Sequence, residues 1–175
     1  DVEEVVCEEL DRETWDATEA MMCGHVTLAL KDKTGGVGLM LVGPASSGKT
    51  TTLSLFEGLE DQFYRSDSVT PAAFVSHDSS KNSEQLNEID LVPRLAGKSL
   101  LVRDMSLWFS GEQEQVRERM STLTQLLDGD GYIRDSGSHG QRGYEGAEYR
   151  FNFLGATTPL SPRAWREMGN VGSRL

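Results

Sequence analysis

The sequence predicts an α/β fold in which helices flank a mostly parallel central sheet. Three short, near-continuous apolar runs support this prediction, at residues 37–42, 99–102 and 151–156. Strands that are buried on both faces of a parallel sheet have this composition, because helices cover both faces of such a sheet. Segments of helical periodicity lie between the runs, and strands that alternate with helices are typical of parallel α/β architecture.

The chain divides into a predicted N-terminal helical segment, residues 1–36, and a core that comprises residues 37–175. In the first segment, apolar residues recur at helical spacing from Val2 to Leu10, with acidic residues between them. Residues 25–30 could extend a second helix or form a short strand, and the pattern does not decide between them. A polar turn with two glycines then precedes the first apolar run.

The segment between the first two apolar runs contains shorter elements. Residues 50–59 are predicted to form a helix. Phe63, Tyr64 and residues 72–75 are predicted to form short strands, whereas residues 78–88 have the polar composition of a loop.

A longer helix and a hairpin are predicted between the second and third runs. Residues 112–127 carry apolar side chains at spacings of three and four, and Asp128-Gly-Asp-Gly131 ends this helix. Residues 132–150 are predicted to form a β-hairpin with a glycine-rich tip. This hairpin comes directly before the third core strand.

The composition restricts location and partners. The chain has 175 residues, enough for one domain with a sizeable core, and no apolar run approaches the roughly 20 residues that a membrane helix needs. Cys7 and Cys23 are isolated and no secretory signal pattern is present, so we expect a cytoplasmic protein without a membrane partner. The net charge of −11 argues against general affinity for nucleic acid, although a local basic loop could still bind it.

The strongest motif is Gly43-Pro-Ala-Ser-Ser-Gly48-Lys49-Thr50, which fits the phosphate-loop pattern at every defined position. Its context is also correct, because an apolar strand precedes it and a predicted helix follows it. The glycines let backbone N–H groups face a phosphate, the lysine reaches the β- and γ-phosphates, and the threonine hydroxyl can ligate Mg²⁺. We therefore expect ATP with Mg²⁺ to bind here, and the predicted nucleotide-binding residues are Gly43, Pro44, Ala45, Ser46, Ser47, Gly48, Lys49, Thr50 and Thr51.

An acidic residue at the end of another core strand would complete such a site by holding the Mg²⁺ shell. Asp104 follows the second apolar run and is predicted to act through water. Many ATPases of this class carry Glu directly after this Asp, but the chain has Met105 there. Glu112, Asp78 or His77 could act as the base for the attacking water in its place.

Two further residues are candidates from their order in the chain. Thr158 follows the third core strand, where a polar side chain could sense the γ-phosphate. Arg174 lies beyond it and could act in trans on nucleotide that a neighbouring subunit holds, by stabilising charge that develops on the γ-phosphate. With Lys49 and Asp104, these residues are the predicted catalytic set.

The order of these motifs resembles the AAA+ ATPases, in which they would be Walker A, Walker B, sensor 1 and the arginine finger. More narrowly, the chain is similar to replication-associated, helicase-like ATPases of phages, plasmids and archaeal mobile elements. The resembling stretches are Phe74-Val-Ser76, Leu91-Val-Pro-Arg-Leu-Ala-Gly-Lys-Ser-Leu-Leu-Val-Arg-Asp104, Leu127-Asp-Gly129, Tyr144-Glu-Gly146 and Gly155-Ala-Thr-Thr-Pro159.

The resemblance implies a homo-oligomeric ring that hydrolyses ATP and acts on single- or double-stranded DNA. It also implies that the hairpin points into the ring, with arms at residues 132–134 and 148–150. His139 and Arg142, near the predicted tip, would then contact the nucleic-acid backbone. The C-terminal lid of that family is expected to lie outside this chain.

Three functions are compatible with these patterns. The first is an AAA+-type motor on nucleic acid. The second is a nucleotide-dependent switch or assembly protein without motor activity, which Met105 favours. The third is a small-molecule kinase, which shares the phosphate loop but is disfavoured by the Thr-Pro strand end and by Arg174.

Overall fold

The computed structural model describes residues 1–31, 35–78, 80–136 and 140–171. Its strands are β1 (Gly38–Val42), β2 (Phe63–Arg65), β3 (Ser99–Val102), β4 (Gly131–Ser136), β5 (Gly140–Glu145) and β6 (Asn152–Thr157). Its α-helices are α1 (Val2–Glu9), α2 (Arg12–Val26), α3 (Lys49–Ser54), α4 (Pro71–Phe74), α5 (Ser83–Ile89), α6 (Leu91–Leu95), α7 (Gln113–Asp128) and α8 (Pro162–Val171). Short 3₁₀ turns cover Thr27–Ala29, Ser106–Phe109 and Ala147–Tyr149.

The central sheet has four parallel strands in the order β1-β6-β3-β2. The prediction of an α/β fold with a parallel sheet flanked by helices is therefore confirmed. The three apolar runs form β1, β6 and β3, which are adjacent in the sheet, with β1 at its edge. Because all strands are parallel, their carboxyl ends meet at one edge of the sheet.

Each face of the sheet is covered by its own apolar cluster. On one face, Met21 of α2 and Leu53 of α3 pack with Leu101 and Leu154 of the sheet. On the other face, α4, α6 and α7 cover the strands, and the fully buried side chains there include Phe74, Leu95, Met120, Leu100 and Phe153. Side chains of one strand alternate between the two clusters, as the pleat requires.

The helix α2 packs directly on the sheet. A Cβ added at Gly24 would lie 2.6 Å from a methyl group of Leu39 in β1, so the absence of a side chain permits this close approach. The fully buried Asn152 donates to the Gly24 carbonyl over 2.6 Å. Residues 25–30, which the sequence left undecided, finish α2 and continue as a 3₁₀ turn.

Two local predictions between β2 and β3 were wrong. Residues 72–75 lie mainly in α4 rather than in a strand, because Pro71 occupies the first helical turn, where its fixed φ favours a helix. The predicted loop 78–88 contains α5. Asn82 and Gln85 form a reciprocal capping box at its start, a helix signal that outweighs the polar composition.

The hairpin consists of β4 and β5, which pair antiparallel in a separate two-stranded sheet. The prediction of a hairpin before the third core strand is confirmed, but its second arm is 140–145 and not 148–150. Gly146 has φ 111°, which ends β5, and a 3₁₀ turn follows. Within the described part of the chain, no helix has the length and apolar character needed to cross a membrane.

Candidate functional site

The loop between β1 and α3 has a backbone shape that suits an anion. Ser46 and Gly48 both lie in the left-handed region, with φ 62° and 76°. A Cβ added at Gly43 would lie 2.7 Å from the Ser47 hydroxyl oxygen, so a larger residue there would require the Ser47 side chain to move. Backbone N–H groups around such left-handed residues converge and form concave anion-binding nests. The φ values at Ser46 and Gly48 are of the kind that such nests require.

The side chain of Lys49 lies over this loop. Its ammonium donates to the carbonyl of Gly43 at 2.8 Å, to the carbonyl of Pro44, and to the hydroxyl of Ser47 at 3.1 Å. Thr50 is exposed in the first turn of α3. A positive charge and an exposed hydroxyl thus flank the loop, as the sequence motif predicts.

The loop, Thr158 and Asp104 share the carboxyl edge of the sheet. The Gly43 N–H donates to the Thr157 carbonyl at 3.2 Å, and the Met105 N–H donates to the Ala156 carbonyl at 2.8 Å. The end of β6, with the exposed Thr158, therefore separates the loop from Asp104. Because neighbouring strands lie about 4.8 Å apart, the backbones of Gly43 and Asp104 are about 10 Å apart across the edge.

The Asp104 carboxylate faces a different cavity from that beside the loop. It accepts from the Ser106 N–H at 2.8 Å and lines a cavity of about 380 Å³ together with Trp108, Arg119 and Arg134. None of the described residues that line this cavity belongs to the loop 43–51. The structure therefore brings Asp104 to the same edge as Lys49 and Thr50, but not into the same cavity.

The three substitute bases lie outside the cavity beside the loop. Glu112 is the N-cap of α7 and takes part in its capping box. Asp78 accepts two hydrogen bonds from Ser80, which lower the pKa of its carboxyl. The Nε2 atom of His77 is buried and has no hydrogen-bond partner among the described residues. None of the three lines the cavity beside the loop.

That cavity, of about 260 Å³, has a second wall that sequence reasoning missed. Asp11, Glu13 and Thr14 of the α2 start line it opposite Gly43 and Lys49. Asp11 is the N-cap of α2, and its carboxylate accepts from the Thr14 N–H at 2.6 Å, which lowers the pKa of Asp11. The spacing of Asp11 and Thr14 is a readable helix-start signal, but nothing in it indicates that this helix start lies against the loop.

Arg142 does not lie free at a hairpin tip. It pairs in β5 with Arg134 of β4, and its guanidinium forms an ion pair with the buried Asp90 at 2.8 Å. It also donates to the Ser76 carbonyl and to the Tyr144 hydroxyl. A buried carboxylate more than 50 residues away thus holds Arg142, and the nucleic-acid contact expected at this residue stays a prediction. His139 and Arg174 lie outside the described residues.

A comparison with models of known protein families finds no match to this chain, and a search of curated proteins finds none either.

Proposed function

We propose that this protein binds Mg²⁺-ATP at the loop 43–50 and hydrolyses it. The observation that carries the proposal is the conformation of the loop. Ser46 and Gly48 have the left-handed backbone found in anion nests, and the Lys49 ammonium contacts the loop at the Gly43 carbonyl. Both features suit a polyphosphate, since the loop amides can donate to phosphate oxygens and the ammonium adds charge-assisted contacts.

The remaining edge residues have complementary roles in this proposal. Thr50 would ligate Mg²⁺. Asp104 lies at the same edge of the sheet but lines another cavity, so it would act only through the water shell of the ion. The bound ion neutralises charge on the phosphates. Thr158, which is exposed between the loop and Asp104, would hydrogen-bond the γ-phosphate in this proposal.

The nucleotide's direction in the cavity follows from its charges. Asp11 and Glu13 line the α2 wall and would repel phosphates, whereas Lys49 attracts them. The triphosphate would therefore stay at the loop beside Lys49, and the nucleoside would lie toward α2. Carboxylates accept hydrogen bonds only, so they suit the hydroxyl and amino groups of a nucleoside.

Nucleotide binding is tested by Lys49→Ala. A charge-assisted hydrogen bond contributes about 1.5–3 kcal/mol, which corresponds to a loss of ATP affinity of roughly 10- to 100-fold. Isothermal titration calorimetry with Mg²⁺-ATP measures it. Lys98→Ala is a matched control, because the Lys98 ammonium also donates to a backbone carbonyl, that of Glu60, at a distance from the loop. Equal affinity of wild type and Lys49→Ala would contradict the proposal.

Turnover separates the ATPase from a switch. Asp104→Asn should reduce hydrolysis far more than ATP affinity, because the carboxylate acts on the metal shell rather than on the phosphates directly. A wild-type protein that binds ATP tightly without releasing phosphate would favour the nucleotide-dependent switch or assembly protein. Transfer of the phosphoryl group to a metabolite would favour the small-molecule kinase.

We further propose that the ATPase acts on nucleic acid as an AAA+-type ring. The support is the separate β4–β5 hairpin, in which Arg134 is half-buried and makes no hydrogen bond or ion pair with any described residue. Arg134→Ala should reduce DNA-stimulated turnover and leave basal turnover unchanged.

Co-assembly of Arg174→Ala with Lys49→Ala subunits should restore part of the activity if Arg174 acts in trans, and mixed rings without any rescue would exclude that role.

A further inference from the structure

Three arginines converge on one small cavity in an otherwise acidic protein. The cavity, of about 350 Å³, lies between α7 and α8, and its described lining consists of Gln113, Arg117, Arg163, Arg166 and Glu167. All five side chains are polar or charged. The chain as a whole carries a net charge of −11, so this arginine cluster is a local reversal of the surface charge.

The cluster is organised around one buried carboxylate. Glu167 is 4% exposed and accepts from the Gln113 side-chain amide and from Arg117, the latter at 3.2 Å. These two bonds hold the pKa of Glu167 below its ordinary value, so it stays ionised. Arg163 donates to the side-chain oxygen of Gln113 at 3.3 Å, which links it to the same centre. The guanidinium groups are therefore held in place and not simply scattered on the surface.

The cluster retains positive charge and donors. Glu167 neutralises one of the three guanidinium groups, which leaves two in excess. Each guanidinium has five N–H donors, and Arg163 and Arg166 each use only one in the described structure, with Arg166 bonded to the Pro162 carbonyl at 3.3 Å. Planar guanidinium donors match the oxygens of a phosphate in bidentate geometry.

We propose that this arginine cluster is a second anion site that binds a phosphate group. It is separate from the nucleotide loop, because none of the described residues 43–51 lines this cavity. Two sources share the chemistry, the backbone of a nucleic acid and a free phosphate. Confinement of positive charge to this cavity would direct a polyanion to one place, because the acidic surface elsewhere repels it.

The test compares two charge-matched double variants. Arg163→Gln/Arg166→Gln removes two positive charges from the cluster. Arg12→Gln/Lys31→Gln removes two from the exposed N-terminal region, so both variants change the net charge equally. Arg163→Lys/Arg166→Lys keeps the charge without the guanidinium geometry. Thermal melts followed by circular dichroism verify that all variants fold.

The probes are a fluorescent 20-nucleotide single-stranded oligonucleotide, followed by anisotropy at several salt concentrations, and inorganic phosphate, followed by calorimetry. The cluster variant should lose about tenfold or more in affinity, and the control should lose little. For the oligonucleotide, the slope of log affinity against log salt should become shallower by about 1.4, as expected for two lost phosphate contacts. The lysine variant should fall between the two.

The outcomes discriminate clearly. Cluster-dependent binding of the oligonucleotide identifies nucleic acid as the source, and cluster-dependent binding of inorganic phosphate alone identifies free phosphate. Equal losses in the cluster and control variants, absence of binding by both probes, or salt-sensitive self-association through the cluster each overturn the proposal. Binding of the probe to the arginine cluster should persist in Lys49→Ala. A failure of the cluster proposal can therefore be distinguished from a failure of the proposed ATP site.

Discussion

Replacement of Arg142 should lower the free energy of unfolding of the protein, and not only weaken a contact with a ligand. Asp90 is 1% exposed on its side chain and Arg142 18%, and their ion pair spans 2.8 Å. Loss of one partner of a buried pair costs about 3–5 kcal/mol, because a charge is left buried and uncompensated. Asp90 keeps hydrogen bonds from the Ser76 N–H, the Ser76 hydroxyl and the Tyr144 hydroxyl, so we expect a loss near the lower limit.

For Arg142→Ala we therefore expect the free energy of unfolding to fall by about 3 kcal/mol. In a chain of this length, 1 kcal/mol corresponds to about 2–4 °C in Tm, so the midpoint should fall by about 6–12 °C. Urea denaturation measures the free energy, and a thermal melt measures the midpoint. Arg134→Ala is the matched control, because Arg134 lies opposite Arg142 in the hairpin register and has no described partner. It should change stability by less than about 0.5 kcal/mol.

A double-mutant cycle with Asp90→Asn isolates the pair. Residues in direct ionic contact are expected to show a coupling of about 0.5–3 kcal/mol. If Arg142→Ala destabilises the protein no more than Arg134→Ala, the ion pair does not hold the hairpin and the reasoning is refuted. If Arg142→Ala instead abolishes DNA binding at unchanged stability, that result supports the nucleic-acid contact predicted from the sequence.

Two further predictions concern pH and backbone space. Burial lowers the pKa of His25, whose ring hydrogen-bonds the Ser99 hydroxyl at 2.9 Å. The neutral imidazole therefore contributes stability above its ordinary pKa near 6.5, and this contribution is lost as the pH falls below that value. Between pH 7 and 5, the free energy of unfolding measured by urea titration should fall less in His25→Gln than in wild type, and equal falls would contradict this. Gly143→Ala should destabilise the hairpin, because the added Cβ would lie 2.2 Å from the Tyr132 carbonyl oxygen. Gly169→Ala in α8 meets nothing within 4 Å and should stabilise the protein by up to about 1 kcal/mol. A thermal melt that gives Gly143→Ala the higher Tm of the two would contradict both expectations.

Long or strongly patterned elements were predictable from the sequence. Residues 37–42 and 99–102 became β1 and β3 almost without change, because short apolar runs bounded by turn residues favour strands of a buried sheet. The helix predicted at 112–127 is α7, shifted by one residue. The short elements were less predictable. Residues 72–75 are apolar enough for a strand, and only the proline before them and their position over α7 make them helical.

Local sequence determined the loop 43–50, since its glycines, lysine and threonine act within a few residues of one another. It also determined the alternation of strands and helices, because periodicity and capping are local properties. The tertiary structure alone decided that Asp11 and Glu13 form the second wall of the loop cavity, that Asp104 faces another cavity, and that Asp90 captures Arg142. Those contacts join distant parts of the chain, and which buried charge meets which partner depends on packing that no short pattern encodes.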